Sequence, residues 1–345
     1  MSDKSMHYYA GIEGGATKSK VLLLDSQGHI LSEADGPCTN QWLIGFDECL
    51  KQVDKMIMKV KIAAEIGPEV KLKGLGLSLS GGDEKDTQEK LTSEIFQNYG
   101  HLTESIYACS DTQCAMYTAT DKGGIVLIAG TGSNCQLINC DGTMHRCGGW
   151  GHLLGDEGSG YWIALKAIKT YFDHEDNMEV CPYDVTYVKD AMLKYFNIDN
   201  KANLLHYIYS DFEKSKIAGF CLEIVKGAKG GDPLCLHIFN DAGKILAKHV
   251  NALVPKIDEE LLICKGGLHI VCVGSIWKSW EFIRDGFLNT LLSSGVQCRK
   301  FKELTLLRLK KNGAIGAAYL GAKATDYILP LDYENNVDIF FHKEL

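Results

Sequence analysis

One pattern occurs twice in the chain and limits the folds that it can adopt. Residues 8–25 read as a short apolar strand, a turn of small residues containing Thr17, and a second strand. Residues 123–138 repeat this order, with Thr131 in the turn. Both stretches are typical of β-hairpins whose turns need positive φ angles or a close backbone approach. Turn residues after each hairpin, at 25–28 and 139–142, predict a three-stranded meander at the start of each half of the chain.

Helices and strands alternate in the rest of the sequence, which favours an α/β fold. The expected helices are 46–66, 84–99, 161–172, 220–228, 233–253 and 314–327, and the expected strands are 74–80, 105–109, 270–274 and 302–309. The chain has 345 residues, more than the roughly 250–300 at which a single core stops growing. We therefore expect a smaller N-terminal domain over residues 1–120 and a larger C-terminal domain over residues 121–345.

Charge and composition exclude several classes of function. The net charge of −8, from 36 Lys and Arg against 44 Asp and Glu, argues against a nucleic-acid-binding surface. The sequence starts without a basic segment and apolar run, and its longest uncharged stretch, 123–140, is broken by polar residues. Neither a signal peptide nor a membrane span is expected. Thirteen cysteines without a C-x-x-C pair are typical of free thiols in a cytoplasmic protein, and a zinc site is not expected.

The two hairpin turns are candidates for binding phosphate. A P-loop is disfavoured because Thr17 stands where that motif needs Gly before Lys18, and a G-x-G-x-x-G motif is absent from the second hairpin. Backbone N–H groups of glycine-rich turns still form a concavity that binds anions, and the Thr17 and Thr131 hydroxyls can add donors. The alternative is that both are ordinary tight turns that need glycine for steric reasons.

Glycine is concentrated just after the second hairpin. Nine of the 36 glycines fall between residues 130 and 160, and residues 147–162 combine them with Trp150, His152, Asp156 and Glu157. Glycine lets backbone amides approach a ligand closely, and the carboxylates can accept hydrogen bonds from hydroxyl groups, so this loop suits recognition of a polyol. Alternatively, the acidic residues cap the next helix.

Other polar residues follow predicted strands. Asp111 comes after the strand at 105–109, where a carboxylate is well placed to act as a general base, although a helix N-cap is the alternative. Asn40 could read a hydroxyl or amide group, or cap a helix. Residues 273–279 leave a strand through a Gly-Ser turn that could accommodate a nucleoside.

Together these features resemble the sugar kinase/heat-shock ATPase/actin superfamily. Within it, the chain is similar to the family of acyl-CoA-reductase-activating ATPases and glucosamine kinases, most of all to the eukaryotic N-acetylglucosamine kinases. The resemblance runs nearly end to end. Its most specific motifs lie at residues 14–17, 39–45, 77–83, 130–134, 148–159 and 272–280.

The resemblance implies two actin-like (ribonuclease H-like) domains with a cleft between them, and transfer of the γ-phosphate of ATP to the 6-hydroxyl of N-acetylglucosamine. Asp111 would be the catalytic base. The residues implied around the sugar are Asn40, Asp111, Ser133, Asn134, Gly149, Trp150, Gly151, His152, Leu153 and Asp156. Those implied around ATP are Gly15, Thr17, Lys18, Thr131, Gly219, Gly274, Ser275 and Ser279.

The resemblance also implies Mg²⁺ as a cofactor and a homodimer formed through the larger domain. One departure concerns the metal: Glu13 stands where the superfamily usually has an aspartate, so we expect few protein ligands to Mg²⁺. Two alternatives remain open. One is an ATPase that activates a partner enzyme, and the other is a kinase for a related sugar such as N-acetylmannosamine or glucosamine.

Overall fold

The computed structural model describes residues 7–15, 17–79, 85–293 and 302–344. Ala16 and residues 80–83, which belong to two of the motifs above, lie outside the described residues. The chain divides into two compact units. The first unit consists of Met1–Gly123 and Leu307–Phe341, and the second of Gly124–Leu306 and His342–Leu345.

A five-stranded sheet lies in the first unit, with strand order β3-β2-β1-β4-β5. Strands β1 to β3 are antiparallel, as the meander prediction requires, and β4 and β5 extend the sheet in parallel. The strands are β1 (Tyr8–Gly14), β2 (Lys18–Asp25), β3 (Ile30–Pro37), β4 (Gly74–Leu79) and β5 (Ile106–Cys109). The helices up to Gly123 are α1 (Gln41–Ile44), α2 (Phe46–Ala63), α3 (Lys85–Tyr99) and α4 (Asp111–Ala119).

A six-stranded sheet has the order β11-β10-β9-β6-β7-β8, so that β8-β7-β6-β9-β10 repeats the order of the first sheet. The strands are β6 (Gly124–Ala129), β7 (Ser133–Ile138), β8 (Met144–Gly148), β9 (Leu268–Val273), β10 (Glu303–Leu309) and β11 (Val337–Glu344). The second predicted meander, β6 to β8, is confirmed by its antiparallel registers. The unit boundaries fall inside β10 and β11.

Helices of the second unit are inserted mainly between β8 and β9. They are α5 (Gly160–Glu175), α6 (Thr186–Phe196), α7 (Lys214–Gly219), α8 (Cys221–Lys229), α9 (Pro233–Leu253) and α10 (Glu259–Leu262), followed after β9 by α11 (Trp280–Ser293). Short 3₁₀ turns occupy Lys201–Leu204, Val254–Lys256 and Ser275–Ser279, and a π-helical turn occupies His206–Ser210. Helix α9 matches the predicted span of 233–253 at both ends. It begins at Pro233 because Asp232 caps its first turn and proline is favoured at the first helical position.

The core of the first unit forms between the sheet and α2. The predicted apolar face of α2 is buried there, with Leu50, Val53, Ile57 and Val60 at most 3% exposed. Burial of four such side chains contributes several kcal/mol, since each contributes about 1.5–3 kcal/mol. The core therefore fixes the sheet whose strand ends position Asn40 and Asp111.

Two late helices, α12 (Ala314–Lys323) and α13 (Tyr333–Asn336), lie in the first unit. The sequence placed residues 314–327 in a domain spanning 121–345, and the structure differs there. Helix α12 packs on β1, β4 and α4 through glycine and alanine. A Cβ atom added at Gly76 would overlap the carbonyl oxygen of Ala317. Backbone contact this close holds residues 307–341 in the first unit.

Strand β11 has no counterpart among the expected elements.

Among the described residues, no helix has the length and apolar character needed to cross a membrane.

Gly76→Ala should destabilise the first unit because the added methyl group meets the α12 backbone, which cannot rotate away. The expected loss is about 1–3 kcal/mol or more in the free energy of unfolding, measured by urea denaturation. Gly67→Ala is the matched control. Its new methyl group would meet only the mobile end of the Glu69 side chain, so a change within about 0.5 kcal/mol is expected. Equal losses in both variants would contradict this packing.

Candidate active site

The turn between β6 and β7, residues 130–132, is tied to the start of α5. Ala129 pairs with Ser133 across the hairpin, and the Gly130 amide donates to the Gly132 carbonyl at 2.9 Å. The Gly160 amide donates to the Gly130 carbonyl at 2.7 Å, which fixes the turn against the first residue of α5. The Thr131 side chain remains exposed and available to a ligand.

A cavity of about 510 Å³ opens beside this turn, within the second unit. Four of the residues expected around ATP line it together: Thr131, Gly219, Ser275 and Ser279. Three more lining residues, Gly130, Ile276 and Lys278, lie in the motifs at 130–134 and 272–280. The sequence did not predict a ligand role for the others, which are Gly160, Ser215, Ala218, Cys221, Leu222, Val225 and Lys229. Most of them come from α7 and α8, where the sequence shows ordinary helical patterning without a motif.

The cavity wall has an apolar side and two cations. Leu222, Val225 and Ile276 provide aliphatic surface, and burial raises the pKa of the Cys221 thiol to about 12, so this thiol stays protonated. Lys229 and Lys278 also line the wall and can attract phosphate. An apolar wall with converging cations and a glycine turn suits a ligand with a flat base and anionic groups.

Gly274 lies behind the turn instead of lining the cavity. Its φ is +107°, and an added Cβ would lie 2.9 Å from the Gly130 nitrogen. Trp277 donates from Nε1 to the Leu127 carbonyl at 3.1 Å, which fixes the Ser275–Ser279 turn on β6. Gly274 therefore supports the shape of the site through backbone packing.

Asp156 occupies the centre of the glycine loop, which we define as residues 148–159. It is 4% exposed and has a φ of +65°, which is uncommon for a residue with a side chain. Its Oδ1 accepts a hydrogen bond from the Ser133 amide at 2.9 Å, and the Lys214 Nζ lies 2.6 Å from Oδ2. The carboxylate thus joins the loop to the end of the 130–132 turn and to α7.

One buried acceptor in this region lacks a hydrogen bond. Among the described residues, no hydrogen bond reaches Oδ1 of Asn134, whereas Oδ2 of Asp156 has the Lys214 ammonium 2.6 Å away as its partner. Leaving a buried acceptor unsatisfied costs about 1–3 kcal/mol. Gly149, with φ of +73°, leaves the space in front of Asn134, since its Cβ would lie 2.7 Å from that oxygen. Asn134 therefore presents an acceptor that a ligand with an O–H or N–H donor can satisfy.

The acidic residues of the loop do not cap α5. Ser159 is the N-cap of that helix and accepts from the Trp162 amide at 3.2 Å. Glu157 contributes its carbonyl oxygen, which accepts from the Ser133 hydroxyl at 2.8 Å. The capping alternative for Asp156 and Glu157 is therefore wrong.

The remaining loop residues predicted around the sugar differ in their surroundings. His152 packs against Tyr161 and Phe212, with ring centroids 5.2 and 5.1 Å away. Trp150 is 63% exposed and has the Arg146 guanidinium 3.8 Å above its ring. Leu153 is 84% exposed, and Gly151 has open space around it.

In the first unit, the turn between β1 and β2 exposes Thr17 and Lys18. The Gly15 carbonyl accepts from the Thr39 amide at 3.3 Å, which fixes one side of this turn. Asn40 is the N-cap of α1, since its Oδ1 accepts from the Trp42 amide at 2.9 Å. For Asn40 the structure thus shows the capping contact, and a ligand role stays a prediction.

Asp111 is the first residue of α4, and the cap of this helix is its neighbour Ser110. The Ser110 hydroxyl accepts from the Gln113 amide at 3.2 Å, and the Gln113 side chain completes a capping box. The capping function that the sequence left as the alternative for Asp111 is therefore carried out by Ser110. The Asp111 side chain is exposed, two residues after the end of β5.

Lys214 is the functional candidate that the sequence analysis missed. Its pairing with Asp156 joins residues that lie far apart in the sequence, and one lysine in the Lys-Ser-Lys run at 214–216 looks like any solvated charge.

The chain is similar to known kinases along most of its length. It is 27% identical over 336 residues to an N-acetyl-D-glucosamine kinase of Dictyostelium discoideum, covering 92% of this chain and 98% of that protein. It is 25% identical over 333 residues to an N-acetylmuramic acid/N-acetylglucosamine kinase of Clostridium acetobutylicum, covering 93% of this chain and all of that protein.

A solved structure from Chromobacterium violaceum, described as a candidate N-acetylglucosamine kinase, superposes with a TM-score of 0.64 and 21% identity. The match covers 92% of this chain and 99% of that one. This similarity confirms the predicted α/β fold of the sugar kinases, with two sheets. The model of the BadF/BadG/BcrA/BcrD ATPase family matches residues 10–321. The chain therefore belongs to the BadF/BadG/BcrA/BcrD ATPase family.

Proposed function

We propose that this protein is a kinase that transfers the γ-phosphate of ATP to the 6-hydroxyl of N-acetylglucosamine. The observation that supports this most is the buried Asn134 Oδ1, which no hydrogen bond reaches among the described residues, next to Ser133, which donates to the buried Asp156 carboxylate. These residues belong to the same unit as the nucleotide-sized cavity and are joined to the turn that lines it. Two relatives that match most of the chain carry N-acetylglucosamine in their names.

ATP is proposed to occupy the cavity beside residues 130–132. The adenine would pack on Leu222, Val225 and Ile276. The amides of Thr131 and Gly132 would donate to the phosphates, with the Thr131 hydroxyl as a further donor. Thr17 and Lys18, in the equivalent turn of the first sheet, would add phosphate contacts. Membership of an ATPase family supports ATP as the nucleotide.

The sugar is proposed to donate to Asn134 Oδ1 and to the Asp156 carboxylate. Its hydroxyl groups and its acetamido N–H are suitable donors, and a hydrogen bond to the charged carboxylate is worth more than a neutral one. The other proposed sugar contacts are Asn40, Ser133, Gly149, Trp150, Gly151, His152 and Leu153. An amino sugar fits this set because it combines several O–H donors with one N–H donor.

Asp111 is the proposed general base. Its carboxylate would accept the proton of the attacking hydroxyl while that oxygen bonds to the γ-phosphorus and the bond to the β-phosphate oxygen breaks. Phosphoryl transfer proceeds through a loose transition state, so the main work of the protein is to position the reactants and stabilise charge.

Mg²⁺ is proposed to be bound chiefly by the nucleotide and by water. The described residues contain no group of three or more His, Cys, Asp or Glu side chains that could hold a metal ion. The Glu13 Oε2 accepts from the Gly313 amide at 2.9 Å, so this carboxylate already has a structural partner. A magnesium ion would thus take few ligands from the protein, and it would supply charge neutralisation.

Two further expectations accompany this proposal. A cytoplasmic location, which the unpaired spacing of the cysteines in the sequence favours, stays a prediction. The homodimer implied by the resemblance stays a prediction, which light scattering on the purified protein tests.

The direct test measures ADP release from MgATP as sugar is added. N-acetylglucosamine should produce ADP in equal amount to the sugar consumed, and the product should be the 6-phosphate by nuclear magnetic resonance. ADP release that does not depend on sugar would favour the ATPase alternative. A higher kcat/KM with N-acetylmannosamine or glucosamine would favour a related sugar as the substrate.

Asp111→Asn should lower kcat by about 10²–10⁴-fold, because the amide cannot accept the hydroxyl proton. Binding of MgADP and the melting temperature should remain near those of the wild type. Ser110→Ala is the matched control, since it removes the cap of the same helix. It should lose about 1 kcal/mol of stability and keep kcat. A kcat for Asp111→Asn within a few-fold of wild type would remove Asp111 from the mechanism.

Gly149→Ala should raise the KM for sugar by about tenfold, since the methyl group would press on Asn134 Oδ1; tenfold corresponds to about 1.4 kcal/mol. Gly142→Ala, in the turn after β7, is the matched control. It introduces a similar backbone strain, since φ is +85° there, but no atom lies within 4 Å of an added Cβ. Gly142→Ala should leave KM unchanged. Equal KM values in the two variants would show that Asn134 does not face the sugar.

A further inference from the structure

We propose that Lys214 is a positioning residue that couples the nucleotide site to the sugar site. Its ion pair with Asp156 would make occupancy of one site change the affinity of the other. The proposal rests on the proposed function in naming the two ligands as a nucleotide and a sugar. Every contact that supports it lies inside the second unit.

The charge contact itself is close and partly buried. Lys214 Nζ lies 2.6 Å from Asp156 Oδ2, and the two side chains are 34% and 5% exposed. The ammonium is therefore the partner that compensates the burial of this oxygen in the absence of ligand. Without Lys214, the carboxylate would be a buried charge lacking this partner, which disfavours its present position.

Asp156 transmits this contact to the turn proposed to bind phosphate. Its Oδ1 accepts from the amide of Ser133, the residue directly after the turn. A Cβ atom on Gly132 would lie 2.5 Å from Oδ1 and 3.0 Å from Lys214 Nζ. The last residue of the turn, the carboxylate and the ammonium therefore lie against one another.

Lys214 reaches the nucleotide cavity through its own helix. It is the first residue of α7, and Ser215, Ala218 and Gly219 from the same six-residue helix line the cavity. The Tyr195 hydroxyl donates to the Lys216 carbonyl at 2.9 Å and anchors this helix from outside the cavity. A nucleotide that fixes α7 thereby fixes the ammonium against Asp156.

Coupling arises because both ligands favour the same arrangement. A nucleotide in contact with α7 holds Lys214 in place, and a sugar bonded to Asp156 holds the carboxylate in place. Each ligand removes part of the ordering cost that the other would otherwise meet, and the effect is reciprocal by linkage. If Lys214 had only a structural role, its replacement would change stability but would leave the effect of one ligand on the affinity of the other unchanged.

The first experiment measures the Kd of N-acetylglucosamine by calorimetry with and without saturating MgADP. In the wild type, MgADP should tighten sugar binding by about fivefold or more. In Lys214→Met and Lys214→Gln this factor should fall to near one, and the sugar KM should rise more than kcat falls. Lys214→Arg should restore the factor in part because it keeps the charge.

Lys216→Met is the matched control. Lys216 lies on the same helix, 3.9 Å from Asp211 and away from the glycine loop, so its removal should leave the factor at the wild-type value. An unchanged factor in both neutral variants of Lys214, or no coupling in the wild type, would overturn the proposal. Two neutral variants are used so that a folding failure of one does not decide the result.

A second experiment separates this proposal from the identity of the sugar. Binding of MgADP alone should slow backbone hydrogen exchange in the glycine loop of the wild type. The same protection should be lost in Lys214→Gln, although MgADP still binds. If this holds while N-acetylglucosamine is not phosphorylated, the proposed function fails and the coupling stands. Equal protection in wild type and variant contradicts the coupling.

Discussion

The carboxylate of Asp156 is the group on which the candidate site depends. It lies in a buried position on left-handed backbone, where its two oxygens meet different elements: the Ser133 amide on one side and the Lys214 ammonium on the other. Such a conformation is costly for a residue with a side chain and persists only where the surroundings determine it. The Asp156 carboxylate therefore holds the site together, because it connects the glycine loop to the end of the 130–132 turn and to α7.

The duplicated sheet order explains why a site could form at this turn. Strands β1-β2-β3 and β6-β7-β8 have the same arrangement, and each first hairpin turn contains a threonine. The two units differ after their meanders. The first unit continues from its meander through α1 and α2, whereas the second inserts α5 to α10 before its next strand. Helices α7 and α8 of that insertion complete the wall of the nucleotide-sized cavity, so the insertion turns a hairpin turn into a ligand site.

Local pattern predicted strands β1 to β10, the hairpins and helices such as α9, because their signals are period, caps and turn residues. It also brought together Thr131, Gly219, Ser275 and Ser279, though for Gly219 only through resemblance to a family. Pattern could not place α12, since the reason that it packs in the first unit is close backbone contact with Gly76, a distant residue. It also could not pair Lys214 with Asp156, because charge pairing over such a separation leaves no trace in a single sequence. The sequence could not show whether Ser110 or Asp111 caps α4, because both residue types favour helix starts. Only the capping box in the structure identifies Ser110 as the cap.

The proposed sugar site requires that Asn134 Oδ1 be left unsatisfied in the protein, so that the sugar can satisfy it. Asn134→Leu tests this most directly, since leucine is close to asparagine in shape and removes the unsatisfied oxygen. The measurement is calorimetric titration with N-acetylglucosamine, paired with urea unfolding of the same sample. Stability should be kept or rise by about 1 kcal/mol, while sugar affinity should fall at least about 100-fold, or about 2.7 kcal/mol. A variant that loses stability and binds the sugar as tightly as the wild type would contradict the proposal.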